Sequence, residues 1–142
     1  MPVISVTRLR VRSWRFLPAF LFASFRIGRQ ASRAGGNLGV KVFRDRRNAF
    51  WTCTAWDSES SMKEFMLTAP HGPAMRKLLE WCDEAALVHW NDESDELPTW
   101  SEAHRRMLRW GRPSKVNHPS DAQKGYRIAE PDESLRSQVR LK

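Results

Sequence analysis

Asn48-Ala-Phe-Trp-Thr-Cys-Thr-Ala-Trp56 runs directly into Asp57-Ser-Glu-Ser-Ser-Met-Lys-Glu-Phe65, and Ala85-Ala-Leu-Val-His-Trp90 closes the same stretch. The first run is rich in aromatic residues and Thr, which suit a pleated, half-buried surface. Asp57 or Ser58 can cap the first free N–H groups of a helix. Met62, Phe65, Met66 and Ala69 then recur at helical spacing and predict one buried face. Pro70-His-Gly-Pro73 interrupts that helix, and Pro73 suits the first turn of the next. Met75, Leu78, Leu79 and Cys82 give the second helix, Ala74 to Glu84, its apolar stripe. Ala85–Trp90 is again a strand. The stretch is a β-α-β unit.

The residues before it repeat the plan. Val3–Val11 reads as a strand with Arg8, Arg10 and Arg12 alternating along one edge. A helix is predicted from Leu17 to Arg33, with Pro18 in its first turn. Leu17, Phe20, Leu21, Ser24, Phe25, Ile27 and Gly28 form a broad apolar face, and Arg26, Arg29 and Arg33 form a basic stripe opposite. Phe22 falls within that stripe. Ala34-Gly-Gly-Asn37 ends the helix. Leu38–Arg44 is a strand, and Asp45–Asn48 turns the chain into the opening run. The order β-α-β-β-α-β predicts an α+β, ferredoxin-like fold: a four-stranded antiparallel sheet with its helices on one face.

Downstream, Thr99 with Glu102 three residues later is a capping box, and an extra C-terminal helix is predicted over Trp100–Trp110. From Ser114 to Lys142 the chain is polar and carries no sustained period. The expected organisation is therefore one domain over 1–113 and a flexible tail over 114–142. A bare second sheet face carrying Phe43 and one of Trp51 or Trp56 predicts a homodimer, because soluble monomers rarely expose such patches.

The chain has 142 residues, seven Trp and seven Phe, enough for a substantial core or an apolar pocket. Its net charge of +8 is uneven. Residues 1–50 hold eleven Lys/Arg and one acid, whereas residues 51–111 hold six Lys/Arg and eleven acids. An acidic centre disfavours a nucleic-acid glove, and the aromatic and Gly context of an RNA-recognition sheet is missing. Phe16–Ile27 is too short for a membrane span and lacks the cleavage site of an export signal. Cys53 and Cys82 fall at apolar positions, which suits two reduced thiols in a cytoplasmic setting, with a disulfide as the alternative.

No motif for phosphate, metal or nucleophilic catalysis is present. Four scattered histidines and two cysteines complete no zinc set, so no metal is expected. His71 lies in the helix break, where the positive end of a helix would keep an imidazole neutral. His89 alternates with Leu87 on the last strand. His104 follows Trp100 by one helical turn and reads as a packing residue.

The run Phe50–Phe65, the Ala-Pro-His71 break, the strand ending at Trp90 and Leu97-Pro-Thr-Trp-Ser-Glu-Ala-His104 together resemble the dimeric α+β barrel proteins of the antibiotic-biosynthesis-monooxygenase type, and within them the spheroidene-monooxygenase-like branch. The resemblance implies a homodimer that binds an apolar, often polycyclic, molecule, and a monooxygenase-like activity that is cofactor-independent or haem-dependent. The implied pocket is lined by Trp56, Phe65 and Met75, with His71 as the catalytic residue at its mouth and His89 and Arg10 as further polar groups. Haem-degrading relatives carry an Asn, a Trp and a His where this chain has Thr7 or Arg8, Phe65 and Met75, so their triad is absent. The alternative is a non-catalytic ligand-binding or interaction module of the same fold.

Overall fold

A computed structural model describes residues 1–68, 71–132 and 138–142, with the backbone alone for 71–75. Strand β1 (Val3–Val11) is followed by a 3-10 turn (Trp14–Phe16) and helix α1 (Leu17–Arg33). Strands β2 (Asn37–Arg44) and β3 (Ala49–Trp56) form the hairpin, and α2 (Glu59–Leu67), α3 (His71–Trp81) and β4 (Cys82–Asn91) complete the second half. Helix α4 (Trp100–Trp110), the short strand β5 (Arg112–Pro113), the one-turn helix α5 (Asp121–Lys124) and strand β6 (Gln138–Arg140) follow. The sheet is antiparallel in the order β5-β4-β1-β3-β2-β6. The expected four strands form its centre, and the C-terminal region adds one to each edge.

Local chemistry sets the element ends. The Ser58 hydroxyl accepts from the Ser61 N–H at 3.2 Å and starts α2. Thr99 does the same for the Glu102 N–H at 3.1 Å and starts α4. In the β2–β3 turn the Asp45 carboxylate accepts from the Arg46 N–H, and Arg47 and Asn48 both take left-handed backbone, with φ of 59° and 60°. Gly36 takes φ of 84°, and a Cβ there would meet Asp57 and Ser61. Its carbonyl accepts from the Asp57 N–H at 2.8 Å, so the α1–β2 turn is tied to the β3–α2 turn.

One boundary differs from the sequence reading. The second helix was expected to reach Glu84, but it stops at Trp81, and Cys82, Asp83 and Glu84 are strand. The cause lies on β1. The Arg12 N–H bonds the Trp81 carbonyl, and Arg8 and Arg10 hold Glu84 and Asp83, so these three residues gain more by extending the sheet. Cys82 packs with Val11 and Phe20 under α1, and Cys53 packs in the core on the opposite face. Both cysteines are free thiols.

Each face of the sheet has its own core. On one face, α1 and α2 cover two clusters. Val3, Val40, Trp56, Met62 and Phe65 pack at one end, and Val11, Phe20, Cys82 and Ala85 at the other. On the second face, Ile4, Val6, Phe43, Trp51 and Val88 pack against Trp100, Ala103 and Met107 of α4. The homodimer expectation rested on that second face being bare, and α4 fills it instead.

The polar C-terminal region also differs from its expected behaviour. In its described part the Gln123 side chain bonds both the N–H and the carbonyl of Ala85, at 3.0 Å each. The Tyr126 hydroxyl donates to the Met107 carbonyl at 2.7 Å. Residues 138–140 pair with β2. Backbone and side-chain hydrogen bonds hold this segment together with a few scattered apolar contacts, Val116, Tyr126 and Ile128 among them, and hydrophobic periodicity registers neither.

Candidate functional site

Side chains of β1 alternate between the two faces. Ser5, Thr7 and Leu9 point toward the helices, between Val3 in one packed cluster and Val11 in the other. A central strand beneath helices is normally closed. Here Ser5, Thr7 and Leu9 are all half-buried while Val3 and Val11 are buried. The half-buried strip continues sideways. Thr7 pairs with Leu87 on β4 and Thr52 on β3, and Thr52 pairs with Val42 on β2. All four of these residues are half-buried. In the next rung Ser5 lies between His89, which is exposed, and Thr54, which is buried. The Thr54 hydroxyl accepts from Trp56 Nε1 at 2.8 Å.

A half-buried strip therefore crosses the helix side of the sheet between two buried clusters. It carries the hydroxyls of Ser5, Thr7 and Thr52 and the side chain of Leu87, with His89 exposed at one end. Few polar groups among apolar walls match the make-up of a small-molecule site. A rim imidazole can exchange a proton with a ligand, and the floor hydroxyls can orient it.

The sequence-derived site residues divide. Trp56 and Phe65 meet, with ring centroids 5.1 Å apart and planes at 29°. They are stacked in contact and nearly buried within one core cluster, at one end of the half-buried strip. His89 shares their face of the sheet. Arg10 does not: it lies on the α4 side, where Nη1 reaches Asp83 at 2.7 Å and Glu84 at 3.6 Å. The side chains of His71 and Met75, like Ala69 and Pro70, lie outside the described residues. Sequence reasoning did not mark Ser5, Thr7 and Thr52 as site residues. The signal was available as hydroxyl residues at helix-facing positions of the two central strands.

A cleft of about 540 Å³ opens on the α4 side. Arg8 and Glu84 form its base through a buried ion pair at 2.7 Å, and Ser120 donates to the other Glu84 oxygen at 3.0 Å. Arg46 and Asp132 pair at 2.5 Å at its mouth. Arg8 Nε is buried without a partner. Burial raises the Asp83 carboxyl above the usual carboxylate range, and the neighbouring Glu84 adds to this against the opposing pull of Arg10. Five arginines line this cleft beside four carboxylates, so the charges largely satisfy one another. Burial pushes the Cys53 and Cys82 thiols up to about 12, which removes them as nucleophiles at neutral pH.

Among the described residues no cluster of His, Cys, Asp or Glu could hold a metal ion. The described histidines do not suit haem. His89 is exposed, His104 bonds the Ile128 carbonyl at 2.9 Å against Trp51, and His118 sits with Glu80 on the surface. The Trp56–Phe65 stack also leaves no slot for a flat macrocycle between those two rings. No helix among the described residues is long and apolar enough to cross a membrane.

Known structures share this fold. A Nitrosomonas europaea protein assigned by name to the antibiotic biosynthesis monooxygenases is 16% identical over 65% of this chain and 90% of its own, with a TM-score of 0.58. A mutant of SnoaB, a cofactor-independent oxygenase from Streptomyces nogalater, is 17% identical over 69% and 98%, with a TM-score of 0.53. Rv0793 from Mycobacterium tuberculosis is 10% identical over 66% and 97%, with a TM-score of 0.60. At these identities the likeness is one of fold alone. No functionally curated protein matches the chain. The family described as a domain of unknown function, DUF3291, matches residues 24–127, and the chain belongs to it.

Proposed function

We propose that the protein binds an apolar small molecule of polycyclic phenol type in the cleft between its sheet and helices, and oxidises it in a monooxygenase-like reaction. The observation that carries this reading is the half-buried, hydroxyl-bearing rung at Ser5, Thr7 and Thr52 on the two central strands, set between buried clusters. Hydroxyl side chains at half-buried positions of the central strands leave packing that a ligand could complete. The fold shared with a cofactor-independent oxygenase supports the chemistry. In the proposed reaction an imidazole takes the phenolic proton and the electron-rich anion reduces dioxygen; one oxygen atom stays on a ring carbon, the other leaves as water, and the substrate, oxidised to a quinone, supplies all the electrons. His71 and His89 are the candidates for the imidazole, with His71 at the start of α3 and His89 on the rim.

The test is titration of the full chain with a panel of polycyclic phenols, followed by oxygen uptake. A bound phenol should protect against thermal unfolding, and Thr7→Phe, which fills the cleft floor, should weaken binding at least about tenfold. His71→Ala or His89→Ala should lower oxygen uptake while binding persists. Unchanged binding in Thr7→Phe would overturn the location. Binding without oxygen uptake by any panel member would leave the non-catalytic binding module as the function. A homodimer also belongs to this proposal, and it would use a surface other than the α4-covered sheet face.

A further inference from the structure

We infer that the outer face of α1 docks the protein on an anionic lipid surface. At about 100° per residue, the arc of α1 turned away from the sheet carries Leu21, Phe22, Phe25, Arg26, Arg29 and Arg33, all exposed. Phe22 is 66% exposed and Phe25 59%, and Trp14 in the preceding 3-10 turn is 79% exposed. The sequence pattern assigned Leu21 and Phe25 to the buried face. The structure buries only the narrower arc of Phe20, Gly28 and Ala31, with Leu141, just beyond the last strand, set against Gly28. Aromatic residues are thereby left on the outside, interleaved with arginines.

The arrangement is that of a helix lying in a membrane interface: bulky apolar side chains reach the acyl boundary and guanidinium groups meet lipid phosphates. The Arg29 guanidinium stands over the Phe25 ring at 5.7 Å, so charge and ring form one patch. The helix is about 25 Å long at 1.5 Å per residue, long enough to engage several headgroups.

Charge selects this occupant over a second copy of the chain. Two-fold pairing through α1 would set the same patch against itself, with Arg26, Arg29 and Arg33 facing their own copies. No acidic residue occurs between Met1 and Arg44 to relieve that repulsion. An anionic bilayer supplies the complementary charge. The docking surface is independent of the cleft chemistry, and its test does not involve the cleft.

The full chain is sedimented with phosphatidylcholine vesicles and with vesicles containing about one-third phosphatidylglycerol, at low and high salt. Pelleting with the anionic vesicles alone, weakened by salt through screening, is expected. Phe22→Ser/Phe25→Ser and Arg26→Glu/Arg29→Glu should each reduce partitioning at least about tenfold with an unchanged circular dichroism spectrum, since these side chains are exposed. Failure to pellet with anionic vesicles, equal pelleting with neutral ones, or undiminished pelleting of both variants would overturn the inference. So would a wild-type dimer in light scattering that becomes monomeric in Phe22→Ser/Phe25→Ser without vesicle binding, which would assign the patch to a second copy.

Discussion

Arg8 and Glu84 meet beneath the α4 side of the sheet, both almost fully buried. Replacing one partner leaves the other as an uncompensated buried charge. Glu84→Ala should therefore cost about 3–5 kcal/mol in urea unfolding, and Arg8→Met with Glu84→Leu together should cost less. Asp83 behaves differently. Its carboxyl is raised by burial, so the folded state favours the protonated form more than the unfolded chain does. Its contribution is fully present below the unfolded value and is lost as pH rises through the folded one. Relative to Asp83→Asn, the wild type should gain stability as pH falls from neutral toward 4, and parallel urea titrations of the two would show it. The buried thiols make a simpler test. Cys53 and Cys82 should resist a thiol reagent at pH 8 in the folded protein and react fully in urea.

At the scale of elements, α4 decides what the sheet can do with its second face. Trp100 stacks on Phe43 with centroids 5.5 Å apart, and Met107 and Ala103 are buried against Trp51. The helix depends on its first turn, so Thr99→Ala should cost about 1 kcal/mol and lower the melting temperature by about 3–5 °C. Sequence periodicity located α1, β1–β3 and α4 well, because each carries an apolar stripe or alternation that only one element type satisfies. It failed at Cys82–Glu84, whose apolar spacing fits a helix. The deciding interactions there are ion pairs to β1, more than seventy residues away in the chain. The site was legible only in part for a related reason. Trp56 and Phe65 announce themselves as large apolar residues, but they serve as packing. How far Thr7 and Thr52 are covered depends on how the helices sit over the sheet, and that leaves no pattern in a list of residues.

For the whole molecule, the C-terminal segment holds the edges of the sheet. Strand β5, two residues long and containing Pro113, lies along β4, and β6, three residues long, lies along β2. Proline cannot donate to a ladder, and very short strands offer little backbone to a newcomer. The chain thus blunts both of its own rims against templated growth by other chains. Cutting after Pro113 would strip β6 and the Gln123 clamp, lower the melting temperature by more than a few degrees, and leave the β2 backbone with Val40, Val42 and Phe43 unguarded. The truncated protein should then form fibrillar aggregates that bind an amyloid dye, while the full chain at the same concentration stays clear.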